Sequence, residues 1–177
     1  MARSASEEPV LKRFWHRVPW LLVGLLGAVL TADIVAAFEQ QLKANVMLAF
    51  FIPGIVYLAD AVGTQTEALV IRGLSVGVPI GRVVRSEILT GLLVGLALAL
   101  VFFPLGWWRW SDPNMVVAVA LAILAACATA SAVALTLPWF LSRVGIDPAF
   151  GSGPLATVIQ DLLSVIIYLL ISTAMIN

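Results

Sequence analysis

The stretch PLATVIQDLLSVIIY, residues 154–168, decides how the sequence is interpreted, because it is an almost continuous apolar run that carries one carboxylate, Asp161. The run is long enough to begin a helix that spans a membrane. A carboxylate at the centre of a bilayer costs at least about 2.5 kcal/mol. The chain can hold Asp161 there only if water, a cation or a partner compensates its charge, so Asp161 is the first candidate functional residue.

The composition places the whole chain in a membrane. Of its 177 residues, 62% are hydrophobic and 11% are charged, whereas soluble domains are about 45–50% apolar and about 25% charged. The long apolar runs lack the alternation of β-strands, which predicts an all-α integral membrane protein. One cysteine and one histidine cannot form a thiolate or imidazole metal cluster, and a net charge of zero gives no sign of a nucleic-acid partner.

Five apolar segments are long enough to span a bilayer. The run of residues 19–38 resembles a signal peptide, but it is longer than the apolar part of one, and we interpret it as a retained first span. We expect a short cytoplasmic tail of residues 1–18, followed by one transmembrane domain of residues 19–177. The predicted spans cover residues 19–41, 46–72, 83–105, 114–141 and 155–176, with loops at 106–113 and 142–154.

The basic residues predict the orientation of the chain. If the N-terminus lies inside, eight of the ten Lys and Arg residues fall on the cytoplasmic side, and only Lys43 and Arg109 fall outside. Cytoplasmic segments next to membrane helices carry an excess of these residues. We therefore expect the N-terminus inside and the C-terminus outside, in a bacterial-type inner (plasma) membrane.

The second and fifth spans share an uneven distribution of polar residues. Each has a 14-residue half without charge, residues 46–59 and 162–175, and a second half that contains acids. Because the two spans run in opposite directions, both acidic halves fall in the cytoplasmic half of the membrane. Helical spacing aligns their polar side chains in two rows: Tyr57, Asp60, Thr64 and Glu67, and Thr157, Asp161, Ser164 and Tyr168.

Two polar rows at one depth predict a hydrated path for a cation. Asp60, Glu67 and Asp161 have no lysine or arginine beside them within the membrane, which indicates that the missing positive charge is mobile. Oxygen ligands without sulfur or imidazole favour Mg²⁺, Ca²⁺, Mn²⁺ or Na⁺ over Zn²⁺ or Cu⁺. Further candidates are the pore-lining residues Tyr57, Thr64, Gln65, Thr157 and Ser164, and the outer-vestibule residues Asp33 and Glu39.

Other interpretations of the acids stay open at this point. Asp60 and Glu67 can instead be protonated, or paired with Arg72 or Arg85 at the inner interface. The two acids near the outer end of the first span either form an acidic mouth that concentrates cations or are simply solvated.

Three stretches resemble the membrane domain of the MgtE magnesium transporter family: VPWLLVGLLGAVLTADIVAAFE (18–39), LAFFIPGIVYLADAVGTQTEALVIRGL (48–74) and GIDPAFGSGPLATVIQDLLSVIIY (145–168). The most specific matches are a Gly-x-Gln-Thr element at residues 63–66 and an Asp-Pro-Ala…Ser-x-Pro…Asp pattern that starts at Asp147 and ends at Asp161. The resemblance implies five helices, a homodimer, and a pore at the dimer interface lined by the second and fifth helices. It also implies that Asp161 holds a hydrated Mg²⁺.

The sequence departs from the family pattern at several positions. Members carry Gly-Gly-Asn ahead of the Gly-x-Gln element, where this chain has Ala59, Asp60 and Ala61. Gly153 stands where the family has an asparagine, and Glu67 replaces a small residue. The resemblance covers the membrane domain only: the family's cytoplasmic magnesium sensor, with its paired CBS modules, has no counterpart in these residues, so we expect no gating by such a sensor within this chain.

These observations together predict a transporter and no enzyme, since no nucleophile–base pair is evident. We expect hydrated Mg²⁺ as the transported ion, no cofactor, and a homodimer surrounded by membrane lipids. The alternatives are a channel or cation-coupled exchanger for another divalent ion (Mn²⁺, Co²⁺ or Ca²⁺), or a non-transporting scaffold subunit whose acids bind a partner's arginines.

Overall fold

The computed structural model describes residues 9–110, 112–145 and 148–176, with only the helical backbone described for residues 148–151. Asp147, which belongs to the motif named above, lies outside these ranges. The described ranges contain helices and no strand. In chain order they are α1 (Val10–Ala37), α2 (Glu39–Ala44), α3 (Met47–Ser75), a 3₁₀ turn (Ile80–Arg82), α4 (Val84–Arg109), α5 (Pro113–Arg143) and α6 (Pro148–Ile176).

Five of these helices, α1, α3, α4, α5 and α6, are long and apolar enough to cross a membrane. They correspond in order to the five predicted spans, which confirms the predicted all-α, multi-pass membrane fold. The short α2 lies between the first two spans. The orientation of the termini stays a prediction.

Several helices extend past the boundaries that the sequence predicted, and prolines lie within them. Helix α1 begins at Val10 and not at Pro19, α4 continues to Arg109, and α6 begins at Pro148. The predicted loops at 106–113 and 142–154 were therefore wrong over much of their length. Membrane helices accommodate proline because neighbouring groups and local adjustments satisfy the freed backbone atoms. Five prolines lie inside helices: Pro19, Pro53, Pro104, Pro138 and Pro154.

Helix α5 lies at the centre of the bundle and packs against α3, α4 and α6. Its alanines are the reason for this position, since several of them are fully buried and let neighbouring helices approach closely. On α4, a Cβ atom added to Gly95 would lie 3.0 Å from Cβ of the buried Cys127. Helix α4 therefore packs closely against α5 at this glycine.

Helix α6 separates α1 on one side from α3 and α5 on the other. Helix α1 packs closely against α6 at Gly27, where an added Cβ would lie 2.3 Å from Cγ1 of Val158. The apolar side chains on the rest of α1 are largely exposed in the single chain. The polar residues of α6 therefore face two different environments.

Candidate functional site

The acidic halves of α3 and α6 contact each other, as predicted. The Thr157 hydroxyl donates a hydrogen bond of 3.3 Å to Oδ1 of Asp60. Farther along the same interface, the Ser152 hydroxyl donates to Oε1 of Glu67. We call this contact surface the α3–α6 seam and define it by the residues Asp60, Gly63, Glu67, Ser152 and Gln160.

No basic side chain in the described part of the chain neutralises the acids of this region. Within the described ranges, Asp60, Glu67 and Asp161 form no ion pair, and the Arg72 and Arg85 side chains are exposed. Pairing with these arginines, one of the interpretations left open above, is therefore not observed. Asp60 and Glu67 share one face of α3, and Thr157 links Asp60 to the cavity that Asp161 borders, so the three acids lie in one region of the bundle.

Asp161 faces a cavity between α6 and α1. The cavity has a volume of about 340 Å³, and the Asp161 side chain at its wall is half-buried. Thr157 also lines it, so this residue connects the cavity to Asp60 on the seam. The remaining wall is apolar or small: Leu21, Gly24, Gly27, Ala28, Thr31, Pro154 and Val158.

The cavity is large enough for a hydrated divalent cation. Mg²⁺ keeps most of an octahedral shell of water, and six waters at about 30 Å³ each fill about 180 Å³. In the part of the chain that the structure describes, no three His, Cys, Asp or Glu residues are grouped closely enough to hold a metal ion. One chain therefore suits a hydrated ion beside Asp161 better than direct coordination of a bare ion.

The structure places the other predicted site residues in several environments. Tyr57 is 71% exposed, and Thr64 and Gln65 are also exposed on α3, away from the cavity wall. Ser164 is buried and lies between Asp161 and Tyr168 along α6. The Tyr168 hydroxyl donates a 2.7 Å hydrogen bond to the carbonyl oxygen of Leu48. The predicted rows thus combine exposed, cavity-lining and buried positions.

The two predicted vestibule acids are both exposed. Asp33 lies near the end of α1, and Glu39 on α2 forms an ion pair of 2.6 Å with Lys43 one turn later. Neither acid lines the Asp161 cavity.

Sequence reasoning missed two parts of the site. One is Gln160, which is 2% exposed and lies against Gly63 of α3. Its position next to Asp161 in a row of apolar residues was the available signal. The other is the α1 wall of the cavity, where Gly24, Ala28 and Thr31 follow one another at helical spacing. Small residues at this spacing are typical of helix packing, so the pattern alone does not indicate a site.

The fold and the site define a multi-pass helical membrane protein with half-buried acids beside a cavity. Residues 52–171 match the MgtE family, which is described as a divalent cation transporter. The chain therefore belongs to the MgtE family. This result confirms the family resemblance of the sequence.

Three magnesium transporters named MgtE are similar to the chain. The protein of Enterococcus faecalis is 34% identical over 168 residues, and that of Bacillus subtilis is 34% identical over 171 residues, each match covering 92% of this chain. The protein of Thermus thermophilus is 31% identical over 168 residues and 93% of this chain. The chain spans 37% of the length of each of these relatives.

Proposed function

We propose that the protein transports Mg²⁺ across the membrane as a hydrated ion, with Asp161 as the central ligand acting through water. The observation that carries this proposal is the cavity of about 340 Å³ beside a half-buried Asp161 that has no basic partner in the described ranges. A carboxylate at this depth requires compensation. A mobile hydrated cation supplies it, and the magnesium transporters similar to the chain support Mg²⁺ as that cation.

We place the permeation path at an interface between two copies of the chain, lined by α3 and α6. Gln65 and Thr64 support this arrangement, because they are polar and exposed on the middle of a membrane helix. An amide in contact with lipid loses its hydrogen bonds with water, at a cost of a few kcal/mol. A second copy, with water between the two, gives these side chains a polar environment.

The remaining acids have graded roles in this proposal. Asp60 lies closest to the ion, since its partner Thr157 lines the cavity. Glu67 is more buried in the seam than Asp60 and contributes negative potential to the path. Asp33 raises the local concentration of cations at the outer entrance through its exposed charge, and Glu39, which pairs with Lys43, contributes less.

Flux into liposomes tests the proposal. The purified chain is reconstituted with a Mg²⁺-sensitive dye inside, and the wild type is compared with Asp161→Ala and Asp161→Asn. We expect Mg²⁺ uptake by the wild type and at least a tenfold loss in both variants. Glu87→Gln is a matched control because it removes an acid on α4, outside the site, and we expect it to keep the flux.

Two results would contradict the proposal. Equal uptake by the wild type and both Asp161 variants would remove Asp161 from the path. No uptake by the wild type, with the protein correctly folded, would favour a scaffold function. Repeating the assay with Mn²⁺, Co²⁺ and Ca²⁺, and with a Na⁺ gradient, determines the ion selectivity and any coupling.

A further inference from the structure

The amide of Gln160 is a buried polar group that the Mg²⁺ path does not use. The residue is 2% exposed, and its Oε1 atom has no hydrogen-bond partner within the described part of the chain. Leaving such an oxygen buried and unpaired costs about 1–3 kcal/mol. A hydrogen-bond donor or a cation beside this oxygen would remove that cost.

Gly63 fixes where this oxygen lies. A Cβ atom added to Gly63 would come within 2.2 Å of Gln160 Oε1, so the amide occupies the space of the missing side chain. Gly63 is three residues after Asp60 and four residues before Glu67, which puts all three on one face of α3. Residues at this spacing have Cβ atoms about 5–6 Å apart. The Gln160 oxygen therefore lies against the face of α3 that carries both acids.

Glu67 adds a buried carboxylate to the same surface. It is 9% exposed, and the Ser152 hydroxyl donates to one of its two oxygens. Burying a carboxylate is strongly unfavourable unless a cation or several hydrogen bonds compensate it. No lysine or arginine of the described ranges pairs with it. The seam thus combines a buried carboxyl group with an unpaired carbonyl oxygen from the opposite helix.

We propose that the α3–α6 seam binds one dehydrated monovalent metal ion between the Glu67 carboxylate and the Gln160 amide oxygen. The Ser152 hydroxyl, which contacts Glu67, supplies a further oxygen. A monovalent ion fits better than Mg²⁺, because Mg²⁺ gives up its water reluctantly and this surface is closely packed. This site is separate from the Asp161 cavity, on the other side of α6.

The two cation sites communicate through Asp60. It lies on the same face of α3 as Glu67 and accepts a hydrogen bond from the cavity residue Thr157. A cation in the seam lowers the negative potential at the cavity, and Mg²⁺ in the cavity does the same at the seam. Each ion therefore weakens binding of the other by the same factor. This link rests on the proposed function, whereas the seam site itself does not.

Binding of ²²Na⁺ to the purified full chain in detergent tests the seam site. We expect saturable binding to the wild type, with choline chloride holding the ionic strength constant. Glu67→Gln should lower the affinity at least tenfold, and Gln160→Met, which keeps the volume but removes the amide oxygen, about threefold or more. Glu87→Gln is the matched control for removal of an acid and should bind like the wild type.

Asp161→Asn separates this proposal from the transport function. It should lose Mg²⁺ flux and keep ²²Na⁺ binding. Absence of saturable binding to the wild type, or equal affinities of the wild type, Glu67→Gln and Gln160→Met, would overturn the seam site. Displacement of ²²Na⁺ by equimolar Mg²⁺ in Asp161→Asn would overturn its assignment to a monovalent ion. If Glu67→Gln does not fold, Gln160→Met alone decides the question.

Discussion

The two sides of α6 carry polar residues in opposite settings. Toward α1, Asp161 and Thr157 border an open cavity of about 340 Å³ with a wall of small residues. Toward α3, the Gln160 and Ser152 side chains are buried in close contact with α3. Adjacent residues in the sequence, 160 and 161, belong to different sides. The open side has room for an ion with its water, whereas the closed side holds oxygens that contact protein directly.

This comparison shows that the polar groups differ in role because they differ in burial, more than because they differ in residue type. Tyr168 and Asp161 lie on the same helical row, yet the hydroxyl of Tyr168 is satisfied by the Leu48 carbonyl. Asp161 has no such partner in the described ranges, and it borders a cavity. Substitutions can change the two sides of α6 separately, and their expected effects differ in size.

Gly63→Ala tests the closed side and should have the largest effect. The added Cβ would lie 2.2 Å from Gln160 Oε1 and 2.6 Å from its Cδ, both of which are buried. Overpacking of this kind costs about 1–3 kcal/mol, measured as a lower midpoint of thermal unfolding in detergent. Gly54→Ala is the control, because no atom lies within 4 Å of its added Cβ. Equal stability of the two variants would show that the seam is loosely packed.

Gly27→Ala tests the open side. Its Cβ would lie 2.3 Å from Cγ1 of Val158, so α1 must move away from α6 and the cavity must change shape. We expect a loss of about 1–2 kcal/mol and a severalfold lower Mg²⁺ flux. The Cβ atom added by Gly24→Ala would make only an ordinary contact of 3.9 Å with Val158. This control variant should therefore change neither the stability nor the Mg²⁺ flux.

The double variant Gly27→Ala/Val158→Ala sharpens this test. Removing the two methyl groups of Val158 gives the new Cβ room, so flux should recover relative to Gly27→Ala alone. No recovery would mean that the glycine acts through something other than this contact.

Tyr168→Phe removes one hydrogen bond from the closed side. The lost contact is the 2.7 Å bond to the Leu48 carbonyl oxygen, which is buried. We expect about 1 kcal/mol of destabilisation and an unchanged Mg²⁺ flux by the folded protein. Tyr57→Phe should leave the unfolding midpoint in place, because Tyr57 is 71% exposed. A loss of flux in Tyr168→Phe that exceeds the loss of folded protein would count against the separation of the two sides.

Asp33→Asn and Glu39→Gln should have the smallest effect. Both side chains are exposed, and neither lines the cavity. We expect Mg²⁺ flux to fall by less than about twofold at low salt and to match the wild type near 1 M salt, where the Debye length is about 3 Å. A large, salt-independent loss in either variant would place that acid in the path itself.

The sequence predicted the number and order of the spans because hydropathy depends on local composition. Helical spacing and opposite chain directions also predicted that the acids of the two spans lie at one depth, whereas the contact between Asp60 and Thr157 emerged only in the structure. The helix ends were harder to predict. Pro19 and Pro154 suggested boundaries, but each lies inside a helix.

The cavity wall and the seam depend on tertiary packing, which local patterns do not encode. Whether Gly27 faces Val158, or Gly63 faces Gln160, is set by the rotation of one helix against another. Ser164 and Asp161 share a helical row, yet only Asp161 borders the cavity. Spacing alone therefore grouped residues that the bundle separates.

A cysteine at Thr157 gives the most direct test of an ion beside Asp161. Cys127, the only natural cysteine, is buried, so Thr157→Cys is made in a Cys127→Ala background. A charged methanethiosulfonate reagent should modify this cysteine, because Thr157 is exposed at the cavity wall. We predict that millimolar Mg²⁺ slows the modification severalfold and that adding Asp161→Asn abolishes the protection. Protection that persists in Asp161→Asn would contradict a hydrated Mg²⁺ held by Asp161. The absence of protection by Mg²⁺ when Asp161 is intact would contradict it as well.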